Sequence, residues 1–203
     1  MVDISLKYLS GRTNKIVFVF FIIVSFYTVS LFVAPMTLEP GTVEGLDGAA
    51  NQIVYGHRWE ELSPYHHAVY LFSDLNCHQN HERSYTLNGN QMPVCARDVG
   101  IFIGFTLGFF LMSFTRGAKN LKDTLLNIIN INTEISEMKK TIILIIIGAI
   151  LALPLILDGS IQLVTDYESF NAFRTFTGVL FGFGFSVFIS GMILSASSFE
   201  DYR

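Results

Sequence analysis

Residues 16–34 read IVFVFFIIVSFYTVSLFVA, nineteen consecutive residues without a charge. At about 1.5 Å of rise per helical residue, that run crosses a hydrocarbon core of roughly 30 Å. Three more uncharged runs follow: VGIFIGFTLGFFLMSFT at 99–115, TIILIIIGAILALPLIL at 141–157 and TFTGVLFGFGFSVFISGMILSAS at 175–197. One such run can be a buried core helix. Four of them in 203 residues, only 15% of which are charged, predict an all-α polytopic membrane protein with four transmembrane helices.

The same arithmetic excludes other classes. Charged residues at 15%, kept out of four long uncharged runs in a chain that is 51% hydrophobic, rule out a disordered chain and a soluble enzyme. A net charge of -4 without a basic face excludes a nucleic-acid binder. The first run follows Lys7, Arg12 and Lys15 as a signal peptide would. Phe32, Val33 and Ala34 ahead of Pro35 make a poor cleavage site, however, so the run reads as a retained helix.

Basic residues set the orientation. Lys7, Arg12, Lys15, Arg116, Lys119, Lys122, Lys139, Lys140 and Arg203 fall on one side, nine of the thirteen in the chain. The positive-inside bias places both termini and the 116–140 segment in the cytoplasm of a cell-membrane protein, with loops 35–98 and 158–174 outside. In the 116–140 segment, Leu121, Leu125, Ile128, Ile131, Ile135 and Met138 recur at helical spacing and predict an amphipathic helix along the membrane. Gly100, Gly104 and Gly108 on the second span, and Gly178, Gly182, Ser186 and Ser190 on the fourth, form small-residue stripes for close helix packing. That packing lies within the bundle or between subunits. Pro154 predicts a kink before Asp158.

The 64-residue loop 35–98 is too long to be structureless. Its start, PMTLEPGTVEGLDGAAN, reads as irregular. Ser63-Pro64 opens a helix that runs to about Asn76, and Asn88-Gly89 marks a turn. All five histidines (57, 66, 67, 78 and 81) and both cysteines, Cys77 and Cys95, lie in this loop. Three readings fit. Spacing alone makes a Cys77–Cys95 disulfide the default on an oxidising side. A zinc-like divalent metal site would use Cys77, His78, Cys95 and Asp98, with His81 as a substitute, because thiolate, imidazole and carboxylate together suit such an ion. Thiol–disulfide exchange is the third reading, although a CxxC pair is missing.

The stretches CHQ at 77–79, ERSYTLNG at 82–89, PVCARDVGIFIGFTLG at 93–108, LPLILDGSIQL at 153–163 and ESFNAFRTFTGVLFG at 168–182 carry a resemblance. They look like the domain-of-unknown-function family 2085 of small bacterial and archaeal membrane proteins. Many members of that family read CARCTGIY where this chain reads CARDVGIF, so Asp98 stands in place of a third cysteine. The resemblance therefore implies metal ligation at this position, since cysteine and aspartate share little else. The family supplies no reaction.

The other motif residues collect at one membrane level. Arg83 and Ser84 lie in the loop, Arg97 and Asp98 start the second span, Asp158 and Gln162 follow the third, and Asn171, Arg174 and Thr177 open the fourth. Arg83, Arg97, Gln162, Asn171 and Arg174 are expected to line an anion pocket beside the metal, with Asp158 as a base. The plainer reading is an interfacial rim in which Asp158 pairs with Arg174. Two functions compete. One acts on a lipid-linked or anionic amphiphilic substrate. The other is a non-enzymatic subunit or accessory protein of a membrane complex, its loop stapled by zinc or a disulfide. A transporter is disfavoured, because no charge lies in the middle of any span.

Overall fold

The computed structural model describes residues 14–118, 120–129 and 135–200. Lys7, Arg12, Lys119, Ile131 and Arg203, used above for orientation and for the amphipathic stripe, lie outside the described residues. In chain order the elements are α1 (Lys15–Thr37), α2 (Gly56–Glu60), α3 (Pro64–Asn76), β1 (Ser84–Leu87), β2 (Asn90–Cys95), α4 (Ala96–Ser113), α5 (Leu121–Ile128), α6 (Glu137–Val164) and α7 (Asn171–Glu200). Helices α1, α4, α6 and α7 are long and apolar enough to cross a membrane, so the chain is the four-span all-α protein its sequence predicts.

α4 and α7 form the seam of the bundle. A Cβ added to Gly100 would stand 2.1 Å from the Thr175 carbonyl oxygen, and one on Gly178 would stand 2.3 Å from that of Arg97. On Gly182 it would meet the Ile101 carbonyl oxygen at 2.2 Å. Only glycine permits this approach, and dispersion across it substitutes for the hydrophobic drive that lipid does not provide. Both small-residue stripes therefore serve packing within one chain.

α6 stands apart. Only 6% of its apolar window is buried, against 44% for α4. Between α5, α6 and α7 lies an apolar cavity of about 650 Å³, lined by Leu125, Ile145, Gly148, Leu151, Phe181 and Phe188 among others.

The loop between α1 and α4 folds into a cap. Ser63 precedes α3 as expected, but its hydroxyl bonds His66 Nδ1 at 2.7 Å instead of capping the helix. Asn88 and Gly89 both take positive φ (51° and 72°), the type I′ geometry that turns a two-residue hairpin. β1 and β2 pair antiparallel, with Ser84 opposite Cys95 and Leu87 opposite Asn90.

Irregular residues 38–55 are pinned to this hairpin. Val43 N–H donates to Asn90 Oδ1 at 3.0 Å, Leu46 N–H to Gln91 Oε1 at 3.0 Å, and Gln91 N–H to the Val43 carbonyl at 2.7 Å. Buried Asp74 accepts the backbone N–H groups of Val54 and Tyr55 and Trp59 Nε1–H. The Trp59 ring stacks on Tyr70 with centroids 5.0 Å apart. Every buried polar group named here is answered, which a cap with so small an apolar core requires.

Two sequence expectations change. The third span does not stop at 157 but continues to Val164, which carries Asp158 and Gln162 on the helix itself. Pro154 sits inside this one continuous helix. Among the described residues of the amphipathic segment 116–140, helix covers Leu121–Ile128 and residues 137–140, the latter being the first turn of α6. Asn120 sets the start of α5 by accepting Asp123 N–H at 2.8 Å.

Candidate metal centre

Two chain segments eighteen residues apart build the site. α3 ends at Asn76, and Cys77 leaves the helix in an extended conformation with its N–H on the Ser73 carbonyl at 2.8 Å. Gln79, at φ +50°, turns the chain back. This turn aims Gln79 N–H at Cys77 Sγ (3.5 Å) and Asn80 N–H at His78 Nδ1 (2.9 Å). From the other side, β2 runs straight into α4, so Cys95 is both the last strand residue and the helix N-cap. Cys95 N–H donates to Cys77 Sγ at 3.2 Å, and Cys95 Sγ lies 3.3 Å from Asp98 Oδ2, one turn into α4.

One ligand atom each from Cys77, His78 and Cys95 lies within 4.8 Å of the others. Both cysteines are buried and unbonded to each other. Tetrahedral zinc, with metal–sulfur bonds near 2.3 Å, holds its ligands about 3.5–4 Å apart, so the group needs only slight contraction around an ion. The two N–H donors on Cys77 Sγ also suit a sulfur that keeps negative charge when it ligates a metal. His78 fits with one adjustment. Its Nδ1 is occupied by the Asn80 N–H, so ligation through Nε2 requires the ring to give up that bond and take the other tautomer.

The electrostatics favour an anionic sulfur at Cys95. Cys95 heads an 18-residue helix, whose N-terminal dipole end stabilises a thiolate. Hydrogen bonds from Cys77, then from His78 and the Asp98 amide, hold the Cys95 thiol well below its ordinary value against the opposing effect of burial. The same Cys95 contact, then burial, pushes the Cys77 thiol up. The Cys95 contact also raises His78, which burial opposes.

The structure sorts the remaining expected residues. His81 lies exposed on a 3₁₀ turn, His81–Arg83, and is not among the mutually close donors. Arg97 NH2 meets Asp158 Oδ2 at 2.5 Å and Gln162 Oε1 at 3.3 Å. Asp158, expected as a base or as the partner of Arg174, is the counter-ion of Arg97. Arg174 turns to Glu168 and to Asn171 Oδ1 (3.0 Å), because position 174 on α7 faces the 165–170 connection and not α6. Arg83 reaches the other oxygen of Glu168. Asn171 Nδ2 donates to the Ser84 carbonyl at 3.2 Å, and Tyr85 hydroxyl bonds Thr175 Oγ1 at 2.8 Å, so α7 is tied to the hairpin that carries Cys95. Thr177 is buried and bonds the Arg174 carbonyl. The arginines thus share a rim, each already facing a carboxylate.

Two residues stayed hidden in the sequence. Glu168 holds two arginines; it opens the 168–182 stretch but carries no assigned role there. Asp74 organises the cap through partners 15 to 20 residues away, for which local spacing gives no sign.

Comparison with known proteins places these residues in a shared segment. A family model described as "Predicted membrane protein (DUF2085)" matches residues 77–188, beginning at Cys77 and covering every metal and arginine-rim residue named above. An uncharacterised protein of Methanocaldococcus jannaschii is 33% identical over 125 residues, 62% of this chain and 66% of that protein. An uncharacterised protein of Methanothermobacter thermautotrophicus is 30% identical over 112 residues, 55% of this chain and 81% of that protein. No solved structure matches.

Proposed function

The chain belongs to this family of predicted membrane proteins, and from that premise we propose that it holds one divalent cation, zinc or a chemically similar ion, between Cys77, His78, Cys95 and Asp98. The observation that carries the reading is the convergence of two thiols, an imidazole and a carboxylate from both ends of the hairpin segment. The burial of both sulfurs supports a closed site that holds structure, more than one with an open position for a reacting water. Bound there, the ion would supply a staple between the cap and the first turn of the second span.

The distribution of basic residues supports an outward cap and cytoplasmic termini. In this reading the protein is a structural or accessory component of the cell membrane. The arginine rim beside the site supports recognition of an anionic amphiphile.

Metal analysis of the detergent-purified chain, beside thiol counting under denaturing, non-reducing conditions, tests the site. About one divalent ion per chain and two thiols released on denaturation are expected, and Cys95→Ser should lose the ion. Neither metal nor free thiols would overturn the reading in favour of a Cys77–Cys95 disulfide.

A further inference from the structure

The connection between α6 and α7 carries an anion site that the chain fills with its own carboxylate. Glu168 Oε1 pairs with Arg83 and Oε2 with Arg174, so each oxygen of one carboxylate is held by a different guanidinium. The partners differ in burial. The Arg174 side chain is 4% exposed, while that of Glu168 is 55% exposed. The cation is therefore built into the fold, and the anion sits at its mouth.

Three further observations point to a larger anion than a carboxylate. Arg174 Nε is buried without a hydrogen-bond partner among the described residues, so the guanidinium keeps an unused donor. The site lies at the N-terminus of α7, a 30-residue helix whose dipole adds positive potential there. Two guanidinia face one carboxylate, which leaves a net positive charge. Phosphate offers more oxygens and more charge than Glu168, and it matches the planar fork of arginine.

The surroundings favour an amphiphile. Leu163, Val164, Tyr167 and Phe170 flank Glu168 and are all exposed. Apolar side chains around a charged site, next to the ends of two candidate spans, suit the interfacial layer of a bilayer.

We propose that Arg83 and Arg174 bind a phosphate-bearing headgroup at the start of α7, and that Glu168 is an internal occupant which the headgroup displaces. Binding transfers the guanidinium contacts from carboxylate to phosphate and releases Glu168 to water. No covalent step is involved, and the site stands independently of the metal.

The test uses the full chain in neutral detergent at constant ionic strength. Its unfolding midpoint is titrated with short-chain phosphatidic acid, with phosphatidylcholine of the same chain length, and with inorganic phosphate. Wild type, Glu168→Gln and Arg83→Gln are compared, each against its own ligand-free midpoint. Saturable stabilisation by phosphatidic acid is expected, with the half-saturating concentration about tenfold lower in Glu168→Gln and about tenfold higher in Arg83→Gln. Saturation by inorganic phosphate with the same ranking of variants supports the site with a soluble ligand as its source. Equal effects of phosphatidylcholine and phosphatidic acid, or no saturable effect of either phosphate source in Glu168→Gln, would overturn the proposal. Arg83 is half-buried at the rim, so its variant keeps the test valid if Glu168→Gln folds poorly.

Discussion

Arg97 on the first turn of α4 holds Asp158 of α6 at 2.5 Å, and the Asp158 side chain is only 1% exposed. Asp158 Oδ1 and Arg97 Nε have no further partner among the described residues. The Asp158 charge therefore depends heavily on Arg97. Arg97→Ala should cost about 3–5 kcal/mol, because it leaves the buried Asp158 carboxylate unpaired, and Asp158→Ala should cost less, because Arg97 is part-exposed and keeps Gln162. Replacing both residues with Met and Leu should recover most of that loss. A double-mutant cycle by unfolding in detergent measures it. Additive losses would mean that the pair does not act as a unit.

Two glycines should respond oppositely to the same change. Gly104→Ala places a Cβ 2.4 Å from the Val179 carbonyl oxygen and should destabilise by about 1–3 kcal/mol. A Cβ on Gly148 meets nothing within 4 Å, and Gly148→Ala should stabilise by up to about 1 kcal/mol through helix propensity. Thermal unfolding of both variants checks the signs.

The cap should open when its charged anchor is removed. Asp74 holds two part-buried backbone N–H groups and the buried Trp59 indole, so Asp74→Ala leaves the indole N–H without its partner, at about 1–3 kcal/mol, and frees the two backbone groups to water. Limited proteolysis should then cleave within residues 38–62 at protease levels that spare the wild type. Unchanged protection would show that the hairpin contacts of Val43 and Leu46 suffice.

If the ion is a staple, a strong chelator should loosen the segment 77–98 that carries its ligands. Faster amide exchange over residues 77–98 is expected after chelation, with exchange at the middle of the α4–α7 seam unchanged. Uniform exchange with and without chelator would remove the staple role.

Glu168 predicts an acid-labile contact. Partial burial pushes its carboxyl up, but the guanidinia of Arg83 and then Arg174 outweigh this and leave it below the ordinary glutamate value. The folded state thus binds this proton more weakly than the unfolded chain does. The stabilisation is fully present above about pH 4.3 and is lost as pH falls through the lowered folded value. The group is half exposed, so the loss should stay below about 1 kcal/mol. Glu168→Gln should flatten that part of the stability–pH curve, and an unchanged slope would assign it to other carboxylates.

The spans were legible because uncharged runs are a local property of composition. Their ends were less so. Asp158 and Gln162 are polar, yet they continue α6 because polar side chains remain helical where the bilayer meets water. The crowding of Cys77, His78, Cys95 and Asp98 was legible as a cluster of unusual residues. The sequence reading prefers His78 over His81, and the structure brings His78 among the close donors through a turn at Gln79, whose positive φ no local spacing announces. Ion-pair partners were hidden for a similar reason. Whether Arg174 meets Asp158 or Glu168 depends on the rotation of α7 about its axis, and the tertiary seam fixes that rotation.

The glycine seam joins the second span to the fourth, and the third lies between them in the chain. During synthesis the notches at Gly100, Gly104 and Gly108 must therefore wait, without their complement, while all of α6 is made. The order in which helices enter the membrane is thus not the order in which they lock together. α6 is delivered early and ends at the margin of a unit completed only after it.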